Sequence, residues 1–567
     1  MSSAADLGPN SGDHDHVLRP RPRKPQHVQL SQLSRMSSSD ADGPLNGDID
    51  AASAMTSGRS TPVPDNAPPS AKSLSSVRKH VRAEQRRRLF PTIEFASRVS
   101  HFDPASDYRD FHGFFNLFWI GLAIMGITTM LRNFKDTGYP LRIEIWSLFT
   151  VKLWHLAVAD FLMVASTAAS LPLHRWARSA PAGGAWTWKN GGMAVQSIYQ
   201  VVWLATWIVI PFWLEWTWTA HVFLLLHTMV LLMKMHSYAF YNGHLSESEK
   251  RLRALDNPIA AAVDRGPAYQ YPAADPRRGS VSAPPDATPS GDPDPDETRA
   301  ADELEALREV LARELTSPMG NITYPRNLTW SNYWDYLLCP TLCYELEYPR
   351  TPTVNWTSLI SKIVATFGCI FLLTVTSEEF ILPVLVDASH RLDTVQATSG
   401  SVSEALLILA ETISGLLFPF MLTFLLVFLV IFEYVLGAFA EITRFGDRHF
   451  YADWWNSTDW MEFSREWNVP VYSFLRRHVY SASRPHTGKM AATIITFLIS
   501  AVGHEIVMAC ITKKLRGYGF VCQMLQLPIV MLQRTRWVRG RQTFNNVCFW
   551  CSMILGLSVI CALYVLV

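Results

Sequence analysis

Ionisable side chains interrupt the long apolar runs of this chain at His155, Asp160, Glu215, His221, His227, Glu378, Glu379, Glu411, Glu433, His504 and Glu505. A charge or an imidazole inside a hydrophobic span carries a free-energy penalty, so each is a candidate for function. Buried histidines are more often satisfied hydrogen-bonders than catalysts, and residue type alone does not choose among them. His504 stands apart through its surroundings. It lies in an otherwise apolar run beside Ser500, Ala501 and Gly503, small residues that leave room for a ligand. The loop before that run, residues 441–488, is the densest aromatic and polar cluster of the chain. An imidazole with a pKa near 7 suits a general base that activates an alcohol.

The elements that must position these groups are membrane spans. The chain has 567 residues, 49% of them hydrophobic, and a formal net charge of +1. Its apolar residues are gathered into runs of the length a bilayer requires, about 20 residues at 1.5 Å rise. Many of its tryptophans sit at the ends of these runs, as interfacial anchors do. Nine spans are expected, near 111–131, 146–171, 194–213, 216–235, 359–385, 404–440, 489–512, 518–533 and 545–567. The fold class expected is an all-α polytopic membrane protein with about nine transmembrane helices and amphipathic interfacial helices. The sixth span is too long for one straight crossing and contains Pro419, so it should tilt, kink or be partly buried in protein. The eighth is short and contains Pro528. Trp460, Phe463 and Trp467 recur at helical spacing in the 441–488 loop, which suits an interfacial helix.

Residues 1–100 are rich in Ser, Pro, Asp and Gly, and read as a disordered tail. Arg78, Lys79, Arg82, Arg86, Arg87 and Arg88 near its end favour a cytosolic N-terminus, with targeting left to the first span. An insert at 245–320 reads as largely disordered and cytosolic, with a short charged helix over 301–316. The remaining 101–567 form one membrane domain. The near-zero net charge argues against a nucleic-acid partner. Cys548 and Cys551 form a C-x-x-C, but it opens a hydrophobic helix and has no second pair or His cluster, so no metal site is expected.

Phe450-Tyr451-Ala452-Asp453-Trp454-Trp455-Asn456 resembles the F-Y-x-D-W-W-N signature of membrane-bound O-acyltransferases of the sterol and diacylglycerol branch. Ser500-Ala501-Val502-Gly503-His504-Glu505 is similar to that branch's S-A-x-x-H-E motif, and Trp467-Asn468-Val469-Pro470-Val471 to its W-N-x-x-V element. Met235-His236-Ser237-Tyr238 and the run from Pro340 through Tyr348-Pro349-Arg350-Thr351-Pro352-Thr353-Val354 resemble elements of the sterol branch, fungal type. The match is collinear from about residue 100 onward. Gly503 departs from the pattern, because larger residues are common before the histidine.

The resemblance implies the membrane-bound O-acyltransferase fold, an endoplasmic-reticulum membrane location and homo-oligomers. It implies acyl transfer from acyl-CoA to a sterol, ergosterol in particular, with no cofactor. His504 is then the base. Asn468 orients the imidazole or donates to the developing oxyanion. Phe450, Tyr451, Trp454 and Trp455 shape the cytosolic entrance, Asp453 and Asn456 hold the loop by hydrogen bonds, and His236 is a helix-end residue beside the acceptor path. Two other readings stay open at this level: a diacylglycerol O-acyltransferase, and a transporter or sterol-binding membrane protein suggested by the intramembrane acids and histidines. The sequons at Asn321, Asn327, Asn355 and Asn456 all fall on the expected cytosolic side and should carry no glycan.

Overall fold

The computed structural model describes residues 93, 95–102, 106, 112–139, 152–180, 184–256, 307–397, 401–533 and 541–566, with a few positions between 534 and 540. The expected disordered tail up to residue 92, and the middle of the insert, 257–306, lie outside the described residues. Among the described residues the regular structure is helical, joined by isolated bridges such as Arg98 with Asp447 and Arg350 with Phe445.

Eight helical runs are long and apolar enough to cross a bilayer: Gly113–Thr137, Leu153–Ser179, Trp188–Trp213, Thr219–Leu255, Trp356–Ala397, Val402–Thr443, Val469–Thr512 and Gln542–Leu566. The ninth expected span is the shorter helix Tyr518–Gln533. Its 16 residues reach only about 24 Å, less than the hydrocarbon thickness, and Pro528 sits inside it.

The helices are numbered in chain order. They begin with α1 (His112–Thr137), α2 (Leu153–Thr167), α3 (Ser170–Ser179), α4 (Met193–Trp213) and α5 (Trp218–Asp256). Next come α6 (Trp330–Leu338), α7 (Trp356–Thr376), α8 (Leu382–Ala397), α9 (Val402–Phe428) and α10 (Leu436–Thr443). The last five are α11 (Trp460–Glu466), α12 (Val469–Phe474), α13 (Ser481–Thr512), α14 (Tyr518–Gln533) and α15 (Gln542–Leu566). On α1, Leu117, Ile120, Ile124, Ile127 and Leu131 make an exposed stripe at helical spacing, the face a bilayer would cover.

The sixth span departs from expectation in its detail. α9 continues as helix across Pro419, and a π turn follows at Leu429–Val435. Ile408, Thr412, Leu416, Leu422 and Leu426 are buried along one face, so this run is partly enclosed by protein. α5 also outruns its apolar segment, continuing about twenty residues past His236 to Asp256. One side of its polar half is buried: Asn242, Ser246 and Ser248 pack under the 307–349 region, where His244 and Ser248 both reach Glu314. The flanks of the expected disordered insert are therefore structured, helical to Asp256 and again over 307–314. In α13 the helix breaks at Gly488, whose φ of 82° is a left-handed value that glycine adopts without strain. α13 packs against α5 and α14, and α9 packs against α15.

Candidate active site

The helix after Gly488 carries His504. Its Nδ1 lies 2.8 Å from the carbonyl oxygen of Ser500, one turn earlier. A carbonyl only accepts, so Nδ1 bears the proton and Nε2 is left as the basic nitrogen. The ring is exposed and so accessible to a substrate. The adjacent Glu505 points the other way and is fully engaged. It accepts from Gly517 N at 2.7 Å, Phe520 N at 3.0 Å and the Tyr564 hydroxyl at 2.8 Å. Glu505 thus satisfies free amides at the start of α14 and ties α13 to α14 and α15.

Asn468 caps α12. Its Oδ1 accepts from Val471 N at 3.1 Å, which is why the helix starts there. That contact occupies the acceptor and leaves the amide NH₂ as its donor. Among the described residues no hydrogen bond joins Asn468 to His504.

The loop from Arg444 to Asn456 has little regular structure and is held from outside. Phe450, Tyr451 and Trp454 are buried to 3%, 1% and 1% exposure, so they anchor the loop and do not line an open entrance. Trp454 meets Phe428, Trp467 and Trp550 at ring distances of 5.0, 4.9 and 5.5 Å. The Tyr451 hydroxyl donates to Glu433 Oε2 at 3.0 Å, within the π turn, and Glu433 Oε1 pairs with Lys362 Nζ at 3.2 Å. Burial and the neighbouring Glu433 raise the Tyr451 phenol far above its usual range, keeping it neutral. Asp453 pairs with His101 at 3.1 Å. Asn456 is exposed, and only its backbone holds the loop, through Asn456 N to Asp453 O at 2.9 Å. The loop is fixed instead by α15: Asn546 Nδ2 donates to the carbonyls of Trp455 and Ser457, and Trp550 Nε1 to that of Trp455. Trp455 is half-buried and remains the signature aromatic nearest the surface.

Residues 185–566 match the membrane-bound O-acyltransferase family. The chain belongs to that family. It is 37% identical over 518 residues to the "Probable sterol O-acyltransferase 2" of Schizosaccharomyces pombe, covering 90% of this chain and 99% of that protein. It is 33% identical over 488 residues to the sterol O-acyltransferase 2 of Saccharomyces cerevisiae, covering 84% and 69%. The diacylglycerol O-acyltransferase 1 of Dictyostelium discoideum is 33% identical over 249 residues, covering 44% and 38%. Membership of this O-acyltransferase family removes the transporter reading.

In this acyltransferase the sterol-branch elements dock the signature loop. Gly446 N donates to Pro349 O and Thr351 N to Arg444 O, each at 2.8 Å, while Arg350 reaches Thr443 O and Asp335. His236 sits mid-helix in α5, not at a helix end. Its Nδ1 pairs with Gln200 Oε1 at 3.0 Å, and its ring stacks on Phe240 at 4.1 Å. The neighbouring Ser237 reaches His478 Nε2 at 2.9 Å, and the His236 and His478 rings lie 5.2 Å apart. Arg477, wholly buried, pairs with Glu345 at 2.9 Å and lies over the Tyr241 ring. Sequence reasoning missed Glu345, Arg477 and His478, because an unbroken surface-like run such as Leu475-Arg476-Arg477-His478 gives no sign of burial. Burial pushes the Cys343 thiol up to about 12, so it is no ready nucleophile at neutral pH. Of the other intramembrane candidates, His227 pairs with Asp160 at 2.6 Å, His221 packs on Phe212, and His155 lines a cavity of about 460 Å³ with Trp154, Trp207 and Trp213. Among the described residues no group of three His, Cys, Asp or Glu is placed to hold a metal ion.

Proposed function

We propose that this acyltransferase moves a fatty acyl group from acyl-CoA to the 3-hydroxyl of a sterol, with ergosterol as the acceptor and His504 as the base. The observation that carries the sterol assignment is the extent of the likeness. It covers 90% of this chain and 99% of a probable sterol O-acyltransferase, whereas the diacylglycerol O-acyltransferase matches over only 44% of this chain and 38% of its own length. In the reaction the sterol oxygen attacks the thioester carbonyl as Nε2 of His504 takes the hydroxyl proton. The carbon–sulfur bond then breaks, and the imidazolium returns the proton to the departing CoA sulfur. The free Asn468 amide donates to the oxyanion of the intermediate, since its Oδ1 is already spent on the cap. The thioester supplies the driving force, and no cofactor is needed.

The 444–456 loop flanks the path of acyl-CoA. The charged CoA comes from the cytosol and the sterol from the bilayer, so this loop is assigned to the cytosolic side of the endoplasmic-reticulum membrane, and the basic stretch from Arg78 to Arg88 favours the same side for the N-terminus. The protein works as a homo-oligomer. Purified enzyme given labelled acyl-CoA with sterol or diacylglycerol in parallel tests the acceptor. Sterol ester as the dominant product is expected, and triacylglycerol in its place overturns the assignment. His504→Ala should lower esterification by about 10²–10⁴ while acyl-CoA binding persists. Retention of most of the turnover would remove His504 from the mechanism.

A further inference from the structure

Ile93 and residues 95–102 are bonded to the signature loop and to the elements that flank it. Ile93 N donates to Glu345 Oε1 at 3.3 Å, and Ala96 N to Asp447 Oδ2 at 3.2 Å. Arg98 grips Asp447 with both ends of its fork, Nε to Oδ1 at 3.1 Å and Nη2 to Oδ2 at 2.8 Å. Its backbone pairs with Gly446 and Arg448 at 3.0 Å each. The Ser100 hydroxyl joins the buried Glu433 and Tyr451. His101 reaches Asp453, Phe95 packs on Tyr348 at 5.2 Å, and Phe102 stacks on Phe115 at 4.5 Å.

These contacts do more than bury a stretch of chain. Residues 444–453 form no helix of their own, so outside partners set their course. Asp447 is 6% exposed and Glu433 is 5% exposed. Both carboxylates are therefore held by designated donors, and the segment supplies several of them. The Arg98 side chain itself is 46% exposed, so its importance lies in satisfying Asp447 and not in surface charge attraction.

We propose that Ile93 and residues 95–102 act as a strap that sets the register of the 444–456 loop, with Arg98 and Ser100 as positioning residues for the acyl-donor step. This rests on the reading that the loop flanks the acyl-CoA path. The strap joins the loop at one end to Glu433 in the π turn of the long sixth span, and at the other to Glu345 beside Arg477. Loosening it should displace the loop without touching His504.

The test uses the full chain in detergent or nanodiscs, with palmitoyl-CoA and sterol as substrates. Arg98→Ala and Ser100→Ala should each raise the KM for palmitoyl-CoA about tenfold, with a much smaller change in kcat and in the sterol KM. Arg98→Lys should recover part of the loss, because one ammonium replaces a two-pronged fork. Arg98→Ala combined with Asp447→Asn should cost less than the sum of the two single changes, since the side chains share the Arg98–Asp447 fork while the asparagine oxygen can still accept from Ala96 N or His449 N. Hydrogen exchange over 444–456 should quicken in the alanine variants. Unchanged exchange there overturns the strap. Faster exchange with both KM values and kcat unchanged overturns its part in the reaction, and places the fault in the loop reading. Additive losses from Arg98→Ala and Asp447→Asn also defeat the proposal.

Discussion

At the scale of single residues, Asn468 has two duties that one substitution separates. Asn468→Asp keeps the oxygen that caps α12 but removes the amide donor. The protein should fold normally, while esterification falls by about 10²–10³ if the amide stabilises the oxyanion. Asn468→Ala loses the cap as well, about 1 kcal/mol of helix stability. Equal activity of wild type and Asn468→Asp would restrict Asn468 to capping. Glu466 supplies a pH test. Its carboxyl is raised to about 6 by burial, and then by Glu462, Asp453 and Asp459 nearby. A carboxyl raised in the folded state binds its proton more tightly there than when unfolded. The native state is therefore disfavoured by this group above pH 6, and the penalty fades as pH falls through 6 toward the ordinary value of 4.5. Glu466→Gln should raise the melting temperature at pH 7.5 and converge with wild type near pH 4.5. A constant offset across that window would contradict the assignment. The imidazole at 504 could be singled out from neighbouring small residues and motif, but its tautomer could not: the Ser500 carbonyl that fixes it is a feature of helix geometry.

At the scale of elements, the same substitution in two helices should give opposite results. A methyl group at Gly243 of α5 would lie 2.0 Å from the Trp188 indole, which is itself wedged against His174 and Phe240. Gly243→Ala should destabilise the protein by about 1–3 kcal/mol, seen as a lower melting temperature and poorer extraction. A methyl group at Gly503 of α13 meets nothing within 4 Å. Gly503→Ala should leave stability equal or slightly improved through helix propensity, and any effect should appear in the sterol KM. A stable Gly243→Ala protein would show that Trp188 is free to move. Of the nine spans read from hydropathy, eight are helices long and apolar enough to cross a bilayer, and the reading failed where polarity and burial part company. It ended α5 near His236 because many residues beyond are polar, yet Asn242, Ser246 and Ser248 among them are buried against the 307–349 region.

At the scale of the whole molecule, sidedness can be tested with impermeant thiol reagents on a background lacking native cysteines. Trp460 is only 9% exposed and would report poorly, whereas Asn456 is exposed. Cysteine at position 456 should react from the cytosolic side alone, as should one at position 290. Labelling of either from the lumen would invert the proposed topology. Glycosylation at Asn321, whose side chain is exposed, would argue the same way. Asn327 carries no such information: it is 1% exposed and bonded to Asn242 and Tyr344. What the sequence determined by itself was the all-helical membrane architecture and the family motifs that make His504 the candidate base, because both are written in local runs and short motifs. What only the tertiary structure decided was which polar groups face one another. Ser100 meets Glu433 across 333 positions, and Arg477 reaches Tyr344 across 133. Hydrophobic burial follows from a residue's own surface and can be read along the chain. A buried polar group is stable only beside a partner, and that partner comes from another element that folding brings alongside.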